Sequence, residues 1–173
     1  SPMVAMSRVM KAKYNENINL VFIGPCIAKK SETDEEDEMI TFVELREMFD
    51  ECGIEPDRVE LSDSDMPRSG RGASFPVSRG LLQTAGIKDD VFDGNIIVAE
   101  GRIDFQEAIK EFENGQIRSR HLELLCCEGC IMGPGTSKTN RRQYNRRILV
   151  HNFAQQKIEH FDIEEWKEHM DQY

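Results

Sequence analysis

Short apolar segments that alternate with helical patterns are the feature that most constrains how this 173-residue chain folds. Residues 17–23 and 95–99 are short and rich in β-branched side chains, and residues 121–126 form a third apolar run. Such runs, bounded by turn residues, are typical of buried strands. Because helical patterns lie before, between and after them, the sequence predicts an α/β fold with a mainly parallel sheet flanked by helices.

The helical pattern is clearest in four stretches, residues 41–52, 103–112, 141–156 and 162–173. Thr41 is the expected N-cap of the first, and Glu44 three residues later completes a capping box. Cys52 falls on the apolar stripe of that helix, which favours core packing over metal ligation. In the third stretch, helical spacing predicts that Tyr144 and Ile148 face inward.

The charge balance excludes several classes of partner. The chain has 22 Lys+Arg against 32 Asp+Glu, a net charge of −10, which argues against nucleic acid or an anionic membrane as the main partner. No apolar run approaches the ~20 residues that a membrane span needs, and no signal peptide is visible. We therefore expect a cytoplasmic protein. Because the chain opens with Ser1-Pro2-Met3, we also expect it to be a piece of a longer protein.

Two polar stretches are predicted to lack regular structure. The acidic run at residues 32–38 cannot bury itself and is expected to be a solvated loop. Residues 62–80 are rich in Ser, Asp, Gly, Pro and Arg and are predicted to form a long irregular loop. Long loops in compact domains are often functional.

The five cysteines, at positions 26, 52, 126, 127 and 130, are not arranged like a disulfide framework. Cys26 follows a predicted strand at the stiff bend that Pro25 imposes. The neighbouring Lys29 and Lys30 favour its thiolate, the form that binds metals.

The second cysteine cluster also follows a predicted strand. The spacing of Cys127 and Cys130 lets two thiolates reach one metal centre, and Gly129 and Gly133 leave room for backbone N–H groups near the sulfurs. Cys126 and Cys127 face opposite sides of a pleated strand, so one of them is expected to pack rather than bind metal.

Other chemistries fit the same residues less well. A structural zinc site usually has a second Cys/His pair at similar spacing, which is absent here. A redox Cys-x-x-Cys normally opens a helix near the first strand. Residues 133–139 differ from a phosphate-binding loop, because Ser137 stands where Gly must precede Lys138 and Pro134 removes an amide donor. Cysteines buried in the core without any metal are the remaining alternative.

Residues 24–32 and 123–135 resemble the second and third signature motifs of the iron-only ([FeFe]) hydrogenase large subunit, in its C-terminal cluster domain. The second motif of that family reads Met-Pro-Cys-x-x-Lys-x-x-Glu, and it is matched here at Pro25, Cys26, Lys29 and Glu32. The chain departs from it at Gly24, where catalytic members carry Met.

The resemblance implies a 4Fe-4S cluster and a set of residues around it. Its ligands would be Cys26, Cys130 and either Cys126 or Cys127. Catalytic members have a Cys-x-x-x-Cys, which selects Cys126, whereas the nearby glycine-rich turn favours Cys127. The counterpart of Cys130 also joins the cluster to a diiron unit in the full-length family.

The resemblance assigns roles to the other matched residues. Lys29 corresponds to the residue that hydrogen-bonds a diatomic ligand of the diiron unit, and Glu32 to a member of the proton path. Pro25, Gly129 and Gly133 line the cofactor. By the same resemblance, residues 1–155 form the C-terminal part of the cluster domain, and residues 156–173 form a helical tail.

The function implied is that of one part of a hydrogenase-like protein. The family's first motif, Thr-Ser-Cys-Cys-Pro, has no counterpart here, so this chain is expected to be inactive alone. Its parent either oxidises hydrogen and reduces protons or senses hydrogen or redox state. Gly24 and the compressed Cys127-x-x-Cys130 favour the sensory branch. Expected partners are the upstream ferredoxin-like and first-motif segments and a signalling module. The alternative is a non-catalytic zinc or simple iron–sulfur scaffold.

Overall fold

The fold is α/β, as the sequence predicts. The computed structural model describes residues 1–14, 17–32, 34, 38–88, 94–137 and 142–171, and within them both strand pairings are parallel. The helices and strands in chain order are α1 (Pro2–Tyr14), β1 (Val21–Gly24), β2 (Glu38–Thr41), α2 (Phe42–Glu51), α3 (Gly80–Thr84), β3 (Ile96–Glu100), α4 (Asp104–Glu113), β4 (His121–Leu125), α5 (Gln143–Glu159) and α6 (Ile163–Met170). Short 3₁₀-helices span Ile27–Ser31, Pro56–Arg58, Gly70–Ser74 and Cys130–Met132.

The chain divides into two compact units, each with its own two-stranded sheet. The first unit comprises Ser1–Arg68, Gly133–Asn140 and Asp162–Tyr173. The second comprises Ser69–Met132 and Arg141–Phe161. None of the helices in the described residues combines the length and apolar character that a membrane span requires.

The sheet of the first unit pairs β1 with β2, in register from Val21 opposite Glu38 to Gly24 opposite Thr41. Met39 of β2 is buried, as is Met3 of α1. The sequence did not predict β2, because its first residue closes the acidic run assigned to a loop. Residues 33 and 35–37 of that run lie outside the described residues. β1 is also shorter than predicted, since it begins at Val21 rather than at residue 17.

The capping box at the start of α2 is confirmed. The Glu44 N–H donates to Thr41 Oγ1 over 3.2 Å, and the Thr41 N–H donates to Glu44 Oε2 over 2.7 Å. Lys30 and the Thr41 N–H hold the pKa of Glu44 at about 2, below its ordinary value. The core role expected for Cys52 is wrong: α2 ends at Glu51, and Cys52 is exposed.

The sheet of the second unit pairs β3 with β4, in register from Ile96 opposite His121 to Glu100 opposite Leu125. Helix α4 packs on β3, and its buried residue is Ala108. Both strands and α4 lie close to their predicted positions. Strand β4 ends at Leu125, one residue earlier than predicted.

Helix α5 does not bury the residues that its periodicity indicated. Tyr144 is 72% exposed and Ile148 is 59% exposed, whereas Ala154 is buried at 4%. The apolar residues of α5 are spread around the helix axis, so their spacing does not select a single face. The helix packs against the 3₁₀-helix Gly70–Ser74, within the stretch that the sequence predicted to be irregular throughout.

A buried carboxylate links β4 to the start of α3. Glu123 lies in the middle of β4 with only 2% of its surface exposed. Its Oε1 accepts from the Arg79 N–H at 2.9 Å, and its Oε2 accepts from the Leu82 N–H at 3.2 Å. Arg79 itself has a φ of 65°, in the left-handed region. Two backbone donors therefore compensate for the burial of the charge.

We predict that Glu123→Leu destabilises the chain by about 3 kcal/mol, because the N–H groups of Arg79 and Leu82 lose their acceptors in a buried site. Urea unfolding at neutral pH measures this loss. Glu123→Gln retains one acceptor oxygen and should lose less. Glu128→Gln changes an exposed residue of the same polypeptide segment and should fall within about 0.5 kcal/mol of the parent. Equal losses for all three variants would contradict the prediction.

Candidate functional site

The second-motif segment, residues 24–32, continues the chain from the carboxyl end of β1, as predicted. Pro25 and Cys26 are half-buried, and the Cys26 thiol is not in a disulfide. The Cys26 carbonyl accepts a 3.1 Å hydrogen bond from the Lys29 N–H, which opens the 3₁₀-helix Ile27–Ser31. Cys26 thus sits at a strand-to-helix turn.

The charged residues of this segment pair with carboxylates. Lys29 forms an ion pair with Glu32, and Lys30 Nζ lies 2.5 Å from Glu44 Oε1. The Lys29 ammonium, followed by the Ser1 amino group, lowers the pKa of Glu32 to about 2. Lys29 and Glu32, the two residues with expected roles around a cofactor, therefore bind each other in this structure.

The glycine-rich turn that follows Cys130 in sequence is tied to the second-motif segment. The Gly135 N–H donates to the Pro25 carbonyl over 2.9 Å, and its own carbonyl accepts from the Val43 N–H over 3.1 Å. A Cβ at position 135 would lie 2.5 Å from Thr41 Cγ2, so glycine is needed for this close approach. Gly133 closes the turn by accepting from the Thr136 N–H at 3.0 Å.

These hydrogen bonds also argue against a phosphate-binding loop at residues 133–139. The N–H of Gly135 is engaged by a carbonyl rather than open to a phosphate, which agrees with the mismatched sequence. Lys138 and Thr139 of that stretch lie outside the described residues.

The adjacent cysteines lie beyond the end of β4. Cys126 and Cys127 are both exposed. The Gly101 N–H donates to the carbonyls of both Leu125, at 3.0 Å, and Cys127, at 3.1 Å. The backbone turns there, so strand alternation does not distinguish Cys126 from Cys127, contrary to the sequence argument. Gly129 has a φ of 86°, a conformation that favours glycine.

Cys130 is positioned through its neighbour Ile131. The Ile131 N–H donates to the Pro76 carbonyl at 3.3 Å, and its carbonyl accepts from Arg146 Nη1 at 2.6 Å. Sequence analysis did not identify Pro76 or Arg146. The only available signal was that residues 62–80 form a long loop of the kind that often carries function. Cys130 is half-buried and not in a disulfide.

The donor chemistry fits a thiolate-ligated cluster, but the described chain does not bring a full ligand set together. All five thiols are free of disulfides. Among the residues with described positions, no group of three or more His, Cys, Asp or Glu side chains is placed to hold a metal ion. Cys26 follows the sheet of the first unit, and Cys127 and Cys130 follow that of the second. The expected approach of Cys26 and Cys130 to within roughly 10 Å stays a prediction.

Comparison with known proteins identifies the family. Residues 1–134 match the family described as the iron only hydrogenase large subunit, C-terminal domain. Because this match covers most of the chain, the protein belongs to that family. No curated protein matches the chain significantly.

Twenty-four chains of solved structures match this one. One is the [FeFe]-hydrogenase HydA(deltaEFG), whose structure revealed stepwise H-cluster assembly, with a TM-score of 0.55 and 17% sequence identity. The match covers 95% of this chain and 59% of that one. This likeness shows the fold, and the chain spans about three-fifths of that hydrogenase.

We predict that Gly135→Ala destabilises the chain by about 2 kcal/mol, because the new methyl group would overlap Thr41 and crowd the Pro25 carbonyl. Thermal and urea unfolding measure the effect. Gly72→Ala is the matched control, since a Cβ there meets nothing within 4 Å and its φ is not positive. A loss as large at position 72 as at position 135 would refute the steric explanation.

We predict a pH-dependent contribution from the Lys29–Glu32 pair. The folded pKa of Glu32, about 2, lies below its ordinary value of 4.5. The pair therefore stabilises the fold above about pH 4.5, and this contribution is lost as pH falls toward 2. Since the pair is partly exposed, it is worth at most about 1 kcal/mol.

Urea unfolding of the parent and of Glu32→Gln between pH 3 and 7 tests this expectation. The difference in unfolding free energy between the parent and Glu32→Gln should have its full value above pH 4.5 and should shrink toward pH 3. Lys29→Met should remove most of this increment, because the Ser1 amino group still interacts with Glu32. A difference that is constant across the range would count against the pair.

Proposed function

We propose that this chain is the cluster-binding part of an iron-only hydrogenase-like protein and holds an iron–sulfur cluster through Cys26, Cys127 and Cys130. The observation that carries the proposal is that cysteines that form no disulfide follow closely after a parallel strand in each motif segment. Ligands of α/β proteins gather at such strand ends. When bound, a 4Fe-4S cluster would accept and release single electrons.

The connection between the two motif segments supports a common cluster. Five residues after Cys130, the chain reaches Gly135, whose N–H binds the carbonyl of Pro25. Pro25 immediately precedes Cys26. The segment that follows Cys130 in the sequence is therefore hydrogen-bonded to the residue next to Cys26.

Lys29 and Glu32 would act next to the cluster rather than bind it. In this structure their charges neutralise each other. To hydrogen-bond a ligand of a diiron unit, the Lys29 ammonium could use a donor that Glu32 leaves open, since an ammonium carries three N–H groups. Glu32, with its lowered pKa, is a poor proton carrier at neutral pH while this pair is closed.

We further propose that the parent protein senses hydrogen or redox state rather than turning over hydrogen. Position 24 supports this choice. Catalytic members are expected to carry Met there, but a Cβ on Gly24 would lie 2.6 Å from the Phe22 ring. The Phe22 ring thus occupies the space that a methionine would need, so a side chain from position 24 could not cover a cofactor without moving that ring.

The rest of the machinery would come from other parts of the longer protein. Residues 1–155 would form the C-terminal part of the cluster domain, and residues 156–173 a helical tail. A first-motif segment would supply the remaining ligand, a ferredoxin-like segment the electrons, and a signalling module the output. Cytoplasmic location is part of the same proposal.

The ligand set can be tested in the full-length protein after anaerobic reconstitution. We expect Cys26→Ser, Cys127→Ser and Cys130→Ser each to lose most of the bound iron and the visible absorption of the cluster, because each removes a thiolate. Cys126→Ser and Cys52→Ser should keep both, and they are matched controls with exposed thiols. Iron lost in Cys126→Ser but kept in Cys127→Ser would make Cys126 the ligand.

Two further measurements on the same protein separate the alternatives. A zinc scaffold would give more zinc than iron in metal analysis and no cluster absorption. With a diiron unit also loaded, a catalytic parent would take up hydrogen with a dye as electron acceptor, whereas we expect little or no turnover. Sustained hydrogen uptake would overturn the sensing proposal and leave cluster binding intact.

A further inference from the structure

The second unit contains a cavity that the cluster proposal does not use. It has a volume of about 720 Å³ and lies among α3, α5 and the segment around the 3₁₀-helix Gly70–Ser74. This volume is in the range of pockets that hold small molecules. Every lining residue belongs to the second unit.

The described part of the cavity wall is cationic although the chain carries a net charge of −10. Its charged lining residues are Arg71, Arg79, Lys88 and Arg147. No Asp or Glu lines the cavity among the residues that the structure describes. Four positive side chains from separate elements face one cavity, a distribution that favours an anion.

Arg79 provides a second, independent observation. Its Nε is buried and has no hydrogen-bond partner within the described part of the chain. A buried guanidinium N–H without an acceptor is unusual in a folded protein, and since Arg79 also lines the cavity, its guanidinium has hydrogen-bonding capacity that the described chain leaves unused. The residue also occupies the left-handed region, with φ at 65°, a conformation that a non-glycine residue adopts at a cost.

The apolar residues of the cavity wall indicate the chemical character of the rest of the ligand. Ile87, Ile148 and Ile158 line the cavity together with the arginines. Arg147 is held at the wall by a 3.3 Å hydrogen bond from Nη2 to the Ser78 carbonyl. Guanidinium groups match the oxygens of a phosphate, which has more charge and more acceptors than a carboxylate.

We propose that this cavity binds a phosphorylated small molecule, with the phosphate at Arg79 and Arg147 and the organic part against the isoleucines. None of the proposed cysteine ligands lines the cavity, and the site does not depend on a cluster being present. Through this site the protein would respond to a small molecule in addition to the hydrogen or redox state that the proposed function has it sense.

The test uses calorimetric titration and thermal unfolding of the full chain, with inorganic phosphate, adenosine monophosphate and octanoate as probes. We expect saturable binding of both phosphate probes, tighter for adenosine monophosphate, and none for octanoate. Arg79→Gly and Arg147→Gln should each weaken that binding by about 10-fold or more, because each removes a charge-assisted bond. Arg102→Ala, which changes an exposed arginine outside the cavity, should bind as the parent does.

Arg79→Gly also separates binding from folding. Glycine adopts the left-handed conformation freely and keeps the N–H that binds Glu123, so its melting temperature without ligand should be no lower than that of the parent. The proposal is overturned if neither phosphate probe saturates at millimolar concentration, or if octanoate alone binds. It is equally overturned if Arg102→Ala loses as much affinity as Arg79→Gly.

Discussion

The second unit depends on one buried carboxylate. Glu123 is nearly inaccessible to solvent, and such a charge is tolerated only when it is fully hydrogen-bonded. Its two backbone donors, Arg79 and Leu82, fix the start of α3 on strand β4. That attachment also positions the stretch just before Arg79, where the Pro76 carbonyl binds Ile131 beside Cys130. Glu123 thereby links β4 to a stretch that contacts the cysteine loop through Pro76 and lines the cationic cavity through Arg79.

The parts of the fold that the sequence predicts are those governed by local rules. The capping box needs only Thr41 and Glu44 at the right spacing, and it is present. Strand β3 and helix α4 are also close to their predicted positions, since each has a clear periodicity and nearby turn residues. The order of a strand followed by a cysteine was predicted for the same reason, because it lies entirely within short stretches of sequence.

The parts that the sequence does not predict depend on contacts between distant residues. Strand β2 begins in an acidic run, and it becomes recognisable only through its pairing with β1. Glu123 would be expected to weaken a buried strand, and its role requires knowledge of a segment about 40 residues earlier in the chain. The Pro76 carbonyl and the Arg146 side chain bond the backbone N–H and carbonyl of Ile131 in the cysteine loop, and those backbone groups leave no pattern of side-chain types in the sequence.

The departures from the catalytic pattern are consistent with one another. The Phe22 ring lies where a side chain from position 24 would begin, which removes the residue expected to cover a diiron unit. Lys29 and Glu32 are paired with each other, so in the proposed site their charges would already compensate each other. Under the proposed function, a site that retains its cysteine thiols, has no side chain at position 24 and pairs Lys29 with Glu32 would suit slow redox changes better than turnover. In the proposed sensor, a ligand that opened the Lys29–Glu32 pair would create a second state, because the ammonium would then be free to interact with a bound cluster.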